Sequence, residues 1–400
     1  TSPASSRGPT PAPAWATITL DGSLGHAGPL TGPQFEVPAA AGKIQGNNLF
    51  HSFERFALSA GERATFNGPS TIGNVIARVT GGEASSLDGT LDTRTHMPQA
   101  SFWLLNPAGI VLGPNAALDV GGAVHLGSGD HVQFQDGQRF SAAPKAGEVL
   151  STAAPAAFGF LRPGAGKLEI RGSRLTVTGG LSAAAGDGAV VLDDARIDVG
   201  GGALTLSGGS VALDLSVLDA GAGGAISLQA AQEMTVRDSF VRGAGGSQIE
   251  AGAPSLLISG YGGFSADAAY GAGSGGRIQI NANTLTLENG AYLSSRTRGV
   301  GATGGEIDVT AREVLLDSDN LSLNPQVWTA GSDELGPYFY NAVTNEYLID
   351  DPSGPVEPAT GELLSTVLRV DSQGGDAGTL RLKADSMRLQ NGARLDAATT

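Results

Sequence analysis

Apolar and polar positions alternate in short runs along most of this chain. Between Arg277 and Leu293, the residues Ile278, Ile280, Leu285, Leu287, Ala291 and Leu293 form one set, and Arg277, Gln279, Thr284, Thr286 and Glu288 form the other. A period of two is that of a strand with one buried face. The runs are separated by pairs such as Asn289-Gly290 and Asn391-Gly392, which suit the positive φ of tight turns. The pattern predicts many short strands joined by such turns.

The runs also recur in order. Gly166-Lys-Leu-Glu-Ile170 is followed by Gly188-Ala-Val-Val-Leu192, and Gly202-Ala-Leu-Thr-Leu206 by Gly224-Ala-Ile-Ser-Leu228, each at an offset of 22. The unit then lengthens to 29, from Gly276-Arg-Ile-Gln-Ile280 to Gly305-Glu-Ile-Asp-Val309. A form with one inserted residue returns in Gly374-Gly-Asp-Ala-Gly-Thr-Leu-Arg-Leu382. Three strands of about four residues with their turns fill a coil of roughly 22 residues, which buries its apolar side only by stacking on its neighbours. The expected fold is all-β, a right-handed parallel β-helix with an N-terminal cap and extra-helical insertions. A sandwich of hairpins competes with it, but gives no reason for like segments to recur at a fixed offset. The repeat breaks at about 130–163, around Pro144, Pro155 and Pro163, and again at 319–362. It resumes near Leu363 and stops at Thr400 in mid-repeat; since a solenoid needs caps, the natural protein is expected to continue.

Composition narrows the function classes. The chain has 61 Gly in 400 residues, yet 40% of it is hydrophobic and only 16% charged. Disorder requires low hydrophobicity, so the glycines read as turn residues. The net charge of −15 argues against a nucleic-acid partner, whose phosphates call for basic patches. No apolar run is long enough for a transmembrane segment. Thr1-Ser-Pro-Ala-Ser-Ser6 lacks the charged and apolar regions of a signal peptide, so a signal is expected to have been removed or to precede it. The absence of cysteine suits a chain that crosses a second membrane unfolded, because a disulfide would trap it; a cysteine-poor cytosolic protein is the bland alternative.

A denser segment precedes the repeats. It contains Asn48-Leu-Phe-His-Ser-Phe-Glu-Arg-Phe56, Thr65-Phe66, Asn74-Val-Ile-Ala-Arg-Val-Thr-Gly-Gly82 and Phe102-Trp-Leu-Leu-Asn-Pro-Ala-Gly-Ile-Val-Leu112. Phe50, Phe53, Phe56 and Phe66 concentrate apolar area as an end cap requires, and Asn106-Pro107 with Gly109 predicts a turn. These stretches, with Thr17-Ile-Thr-Leu-Asp-Gly22, resemble the N-terminal secretion (haemagglutination activity) domain of filamentous haemagglutinin-like exoproteins, the TpsA family of two-partner secretion. Many members carry Asn where this chain has Ala108.

The resemblance implies a secreted, adhesin-like surface protein of a Gram-negative bacterium, exported via the periplasm. It implies a TpsB-type outer-membrane β-barrel transporter with periplasmic POTRA domains as partner. The residues it marks for transporter recognition or turn formation are Asn48, Phe50, His51, Phe53, Asn74, Arg78, Asn106, Pro107 and Gly109. The organisation read from the chain is a flexible segment 1–15, a secretion domain 16–135, an irregular transition 136–165, repeats 166–318, an aromatic and acidic insertion 319–362, and further repeats 363–400. Within the insertion, Trp328, Tyr338, Phe339, Tyr340 and Tyr347 are candidates for binding a host-cell, matrix or polysaccharide receptor.

Other chemistry has weaker support. Gly271-x-Gly273-x-x-Gly276 and Gly299-x-Gly301-x-x-Gly304 match a dinucleotide fingerprint, but a strand rather than a helix follows each, so they read as turns and no cofactor is expected. His125 and His131 with Asp119 and Asp130 contain ligand types for a metal, but read as scattered turn or surface residues. Asp193-Asp194 and Asp350-Asp351 are the adjacent carboxylate pairs; strand neighbours face opposite sides, so the first pair converges only in a turn. The chain is therefore read as a non-enzyme. The alternatives are a secreted β-helix that captures a host or nutrient-carrier protein, and a polysaccharide-active β-helix enzyme with clustered carboxylates.

Overall fold

The computed structural model describes residues 17–318 except 146, 269–272 and 298–300, strand backbones between 328 and 363, and residues 366–397 except 371, 373 and 374. Three parallel faces wind into a β-helix. The first face stacks Asn48–Phe56, Asn74–Val79, Ser101–Leu105, Val124–Gly127 and Leu181–Ala184. It continues through the first halves of Ala203–Asp214, Ala225–Arg237, Gln248–Ser259 and Arg277–Glu288 to Glu306–Thr310 and Thr379–Lys383. The second face stacks Ser85–Leu87, Ile110–Leu112, Leu168–Arg171 and Ala189–Asp193, then the second halves of the same long strands, Glu313–Asp317 and Ser386–Gln390. The third begins with Gln34–Pro38, Arg63–Asn67, Thr90–Asp92 and Ala117–Asp119, and a second stack runs from Arg174–Thr176 to Arg394–Asp396.

The sequence offsets are the pairing registers. Ala203 pairs with Ala225, and Arg277 with Glu306. Ile278, Ile280, Leu285, Leu287, Ala291 and Leu293 all lie in one continuous apolar column. At the corner after the second face the chain turns through left-handed residues, among them Asp194, Leu215, Asp238, Gly260, Asn289 and Asn391. Buried serines stabilise this corner between coils: the Ala195 amide donates to Ser216 Oγ at 3.1 Å, and the Ser216 amide to Ser239 Oγ at 3.0 Å.

The N-terminal end is closed by antiparallel strands. Ile18–Asp21 pairs with Ala27–Pro29 on one side and Asn48–Phe56 on the other, and Lys43–Gln45 also pairs with Asn48–Phe56. Their antiparallel direction ends the parallel stack.

Two insertions leave the coils. The first lies between the first and second faces. His131–Phe134, Arg139–Ser141 and Pro155–Gly159 form a three-stranded antiparallel sheet outside the helix. The prolines pointed to irregular chain, but Pro155 opens a strand, a position that tolerates its missing N–H. The second insertion leaves after Ser318, and its described strands Trp328–Asp333, Gly336–Asn341 and Glu346–Ile349 pair antiparallel. The coil resumes in register, Tyr292 pairing with Val367. The two ends are joined directly: the Thr366 amide donates to Ser318 Oγ at 2.8 Å, and Thr366 Oγ1 to the Asp317 carbonyl at 2.7 Å.

Candidate functional site

The first strands of the first face are apolar on both sides, in Leu49-Phe50, Val75-Ile76-Ala77 and Phe102-Trp103-Leu104-Leu105. A continuous apolar run marks a strand covered on both faces. Leu49, Phe53, Val75, Ala77, Phe102 and Leu104 join the interior column. Phe50, Ile76, Trp103 and Leu105 belong to a second cluster with Val132, Phe134 and Phe140 of the extra-helical sheet. The phenylalanines read as one cap are thus divided. Phe53, Phe56 and Phe66 pack together inside, while Phe50 packs outside against Phe134 and Phe140.

Arg78 is the one guanidinium on this covered strip. It is 1% exposed. Its Nε donates to Ser52 Oγ at 2.7 Å, its Nη1 to the Ser141 carbonyl at 2.6 Å and to Glu148 Oε2 at 2.7 Å, and its Nη2 to Ser23 Oγ at 3.1 Å. The guanidinium carbon also lies 4.1 Å from the Phe140 ring centroid. One side chain thereby ties the cap, the first strand and the extra-helical segment. Next to it, Asp21 accepts from the Ser52 and Thr80 hydroxyls and from Ser23. Burial pushes the Asp21 carboxyl up, but these hydrogen bonds outweigh it and hold the carboxyl below its usual range.

Asn48 is also buried. Its Nδ2 donates to the carbonyls of Ser151 at 3.1 Å and Ala153 at 2.6 Å, and its Oδ1 accepts from Asn74 Nδ2 at 2.9 Å. His51 points inward, between Phe53 and Phe66. Neither ring nitrogen meets a protein partner, and burial lowers its pKa to about 3, so the ring is neutral.

Asn106, Pro107 and Gly109 form the corner between the first and second faces. Asn106 is 1% exposed. Its Oδ1 accepts from the Ala108 amide at 3.0 Å, and its Nδ2 donates to the Glu83 carbonyl at 2.9 Å and Ser85 Oγ at 3.0 Å. The turn uses only the backbone of Ala108. Gly109 has φ +113°, and a Cβ there would lie 2.6 Å from the Lys167 carbonyl oxygen of the next coil.

The structure therefore brings Asn48, Phe50, Asn74 and Arg78 together beneath the extra-helical sheet. It places His51 and Phe53 in the interior, and Asn106, Pro107 and Gly109 at a corner. Sequence reasoning missed Ser52, Phe140, Ser141 and Glu148; the available signal was a charged residue inside strands whose both sides are apolar. Trp328, Tyr338, Phe339, Tyr340 and Tyr347 have described strand backbones, and their side chains lie outside the described residues.

His125 and His131, read as scattered turn or surface residues, lie apart but are more covered than a surface position implies. His125 stacks on Trp103 with ring centroids 3.8 Å apart, its Nδ1 is 2.8 Å from Ser182 Oγ, and burial lowers its pKa to about 4. His131 is 4% exposed, on the extra-helical sheet. Among the described residues no group of three or more ligand-type side chains gathers for a metal. Asp194 occupies a left-handed corner and pairs with Arg174 at 2.9 Å; Asp350 and Asp351 lie outside the described residues. Gly276 is followed by the strand Arg277–Glu288, as a turn requires, while Gly271 and Gly299 lie outside the described residues. No described helix is long and apolar enough to cross a membrane.

Comparison with known proteins fits this geometry. A family model described as the TPS secretion domain matches residues 16–248, running past the boundary drawn from sequence at 135. The fold is similar to the crystal structure of the HMW1 secretion domain from Haemophilus influenzae, with a TM-score of 0.51, 14% identity, and coverage of 96% of this chain and 97% of that one. No curated protein sequence matches. The structural likeness supports the β-helix. The family match spans more than half of the chain, and proteins with this domain are secreted via the periplasm to the surface of Gram-negative bacteria. The chain belongs to the TPS secretion domain family, as part of a TpsA-type two-partner secretion exoprotein targeted to a TpsB outer-membrane transporter.

Proposed function

We propose that the transporter's periplasmic POTRA domains read the secretion signature in the extended chain, before this domain folds. The observation behind this reading is burial: Asn48, Phe50, His51, Phe53, Arg78 and Asn106 are each at most 1% exposed. A partner that recognises these side chains must meet them before the coils close. Asn74, Pro107 and Gly109 accompany them in the same stretches, within the secretion domain read at 16–135. After export the same residues serve the fold.

At the surface we read the exoprotein as an adhesin rather than an enzyme, with 319–362 as its contact region for a host-cell, matrix or polysaccharide receptor. The aromatic content of that insertion supports this reading, and would equally serve capture of a host or nutrient-carrier protein.

The test is export. The chain is expressed behind a signal peptide with and without its transporter, and the medium is assayed. Release should depend on the transporter and fall when Asn48 and Asn106 are replaced by Ala. Isolated periplasmic domains should retain freshly diluted, unfolded chain and not the folded protein. Equal retention of both forms would refute recognition before folding; release without the transporter would refute the export reading itself.

A further inference from the structure

We propose that residues 131–159 act as a closing strap for the N-terminal cap, which holds its native structure only once this segment has docked. The inference concerns folding and stands apart from how the transporter recognises the chain. Three observations converge on it. First, the strap covers outward side chains from successive strands of the first face, Phe50, Ile76, Trp103 and Leu105, with Val132, Phe134 and Phe140. Without it these large apolar groups would form a contiguous exposed strip, which a soluble domain rarely leaves open. Second, Arg78 has its carboxylate partner, Glu148, and a further acceptor, the Ser141 carbonyl, on this segment. With the strap absent, a guanidinium on an apolar strand would keep only the Ser52 and Ser23 hydroxyls. Third, both Asn48 Nδ2 contacts are to carbonyls of the strap, Ser151 and Ala153.

The strap's position in the chain gives this arrangement a direction. Residues 18–105 emerge first in an N-to-C order, yet their packing partners follow dozens of residues later. In an ordinary solenoid each coil contacts only its neighbours, so folding spreads from one coil to the next. Here the first coils wait for a later segment, so the cap and strap close as one cooperative unit.

Native-state hydrogen exchange on the full chain tests this, with Phe134→Ser/Phe140→Ser as the strap variant. Amides of strands 48–56 and 74–79 should exchange at least about 100-fold faster, as expected for truncating two buried aromatic side chains that pack on them, while strands 203–288 keep their protection and show that the chain has folded. If the double variant fails to fold, Glu148→Gln is used, with the same ordering expected at smaller amplitude. In refolding, with Trp15→Phe and Trp328→Phe leaving Trp103 as reporter, the Trp103 signal and protection of strands 48–79 should share one rate constant. Cap strands that stay protected in the variant, or that gain protection before Trp103 is buried, would overturn the proposal.

Discussion

Among the described left-handed corner residues, Leu215 is the one whose side chain least suits that backbone. It turns the corner at φ +48°, while Asp194, Asp238, Asn289 and Asn391 hold the equivalent conformation in their coils. A left-handed backbone costs an ordinary side chain about 1–2 kcal/mol, and Asn or Asp less. Leu215→Asn is therefore expected to raise stability by about 0.5–1 kcal/mol, read as a higher midpoint in chemical unfolding. A lowered midpoint would mean that the leucine's packing outweighs its backbone strain. Asn289-Gly290 was legible as a turn because its residue types announce positive φ. Leu215 was not, because only its place in the stack forces it there.

At the scale of the element, the Asn106–Gly109 corner separates side-chain from backbone requirements. Gly109→Ala would put a Cβ against the Lys167 carbonyl in a left-handed conformation, so a loss of about 1–3 kcal/mol is expected. Ala108→Asn should change stability by less than about 0.5 kcal/mol, since Ala108 contributes its amide alone. Thermal unfolding of the two variants checks both; equal losses would show that the turn is tight at Ala108 as well. The strands themselves were legible from alternation, and the coils from offsets that proved to be registers. The strap was not legible, because Pro144 and Pro155 break its pattern and its reason for being ordered lies in Phe50, Arg78 and Trp103, far away in the chain.

Across the whole molecule, acid sensitivity is unevenly distributed. All five histidines precede residue 132. Burial lowers the His51 pKa to about 3 and the His125 pKa to about 4, from an ordinary 6.5. The unfolded chain therefore binds protons that the folded chain refuses. Stability from these rings is complete above about pH 6.5, and falls by up to about 1.4 kcal/mol per pH unit and per histidine as the pH drops toward those folded values. Asp21, also near this end, is held below its usual range and loses its contribution on further acidification. Asp214 and Asp238, farther along, have the opposite sign. Burial raises both, aided by Asp193 for the first and Asp214 for the second, so protonation favours the folded coils there. Exchange measured from pH 7 down to 4, corrected for the intrinsic rate, should show the first coils opening before strands 203–259. Uniform loosening along the chain would contradict this.

The junction at the second insertion separates the fold of the coils from the content of the loop. Ser318 and Thr366 are hydrogen-bonded to each other, and the coil on either side keeps its register. The scaffold therefore sees a short stitched corner, whatever is spliced between the stitches. Sequence there can lengthen, shorten or be exchanged for an unrelated module at little cost to the solenoid, so a foreign peptide grafted at the same point is expected to leave the coils in register.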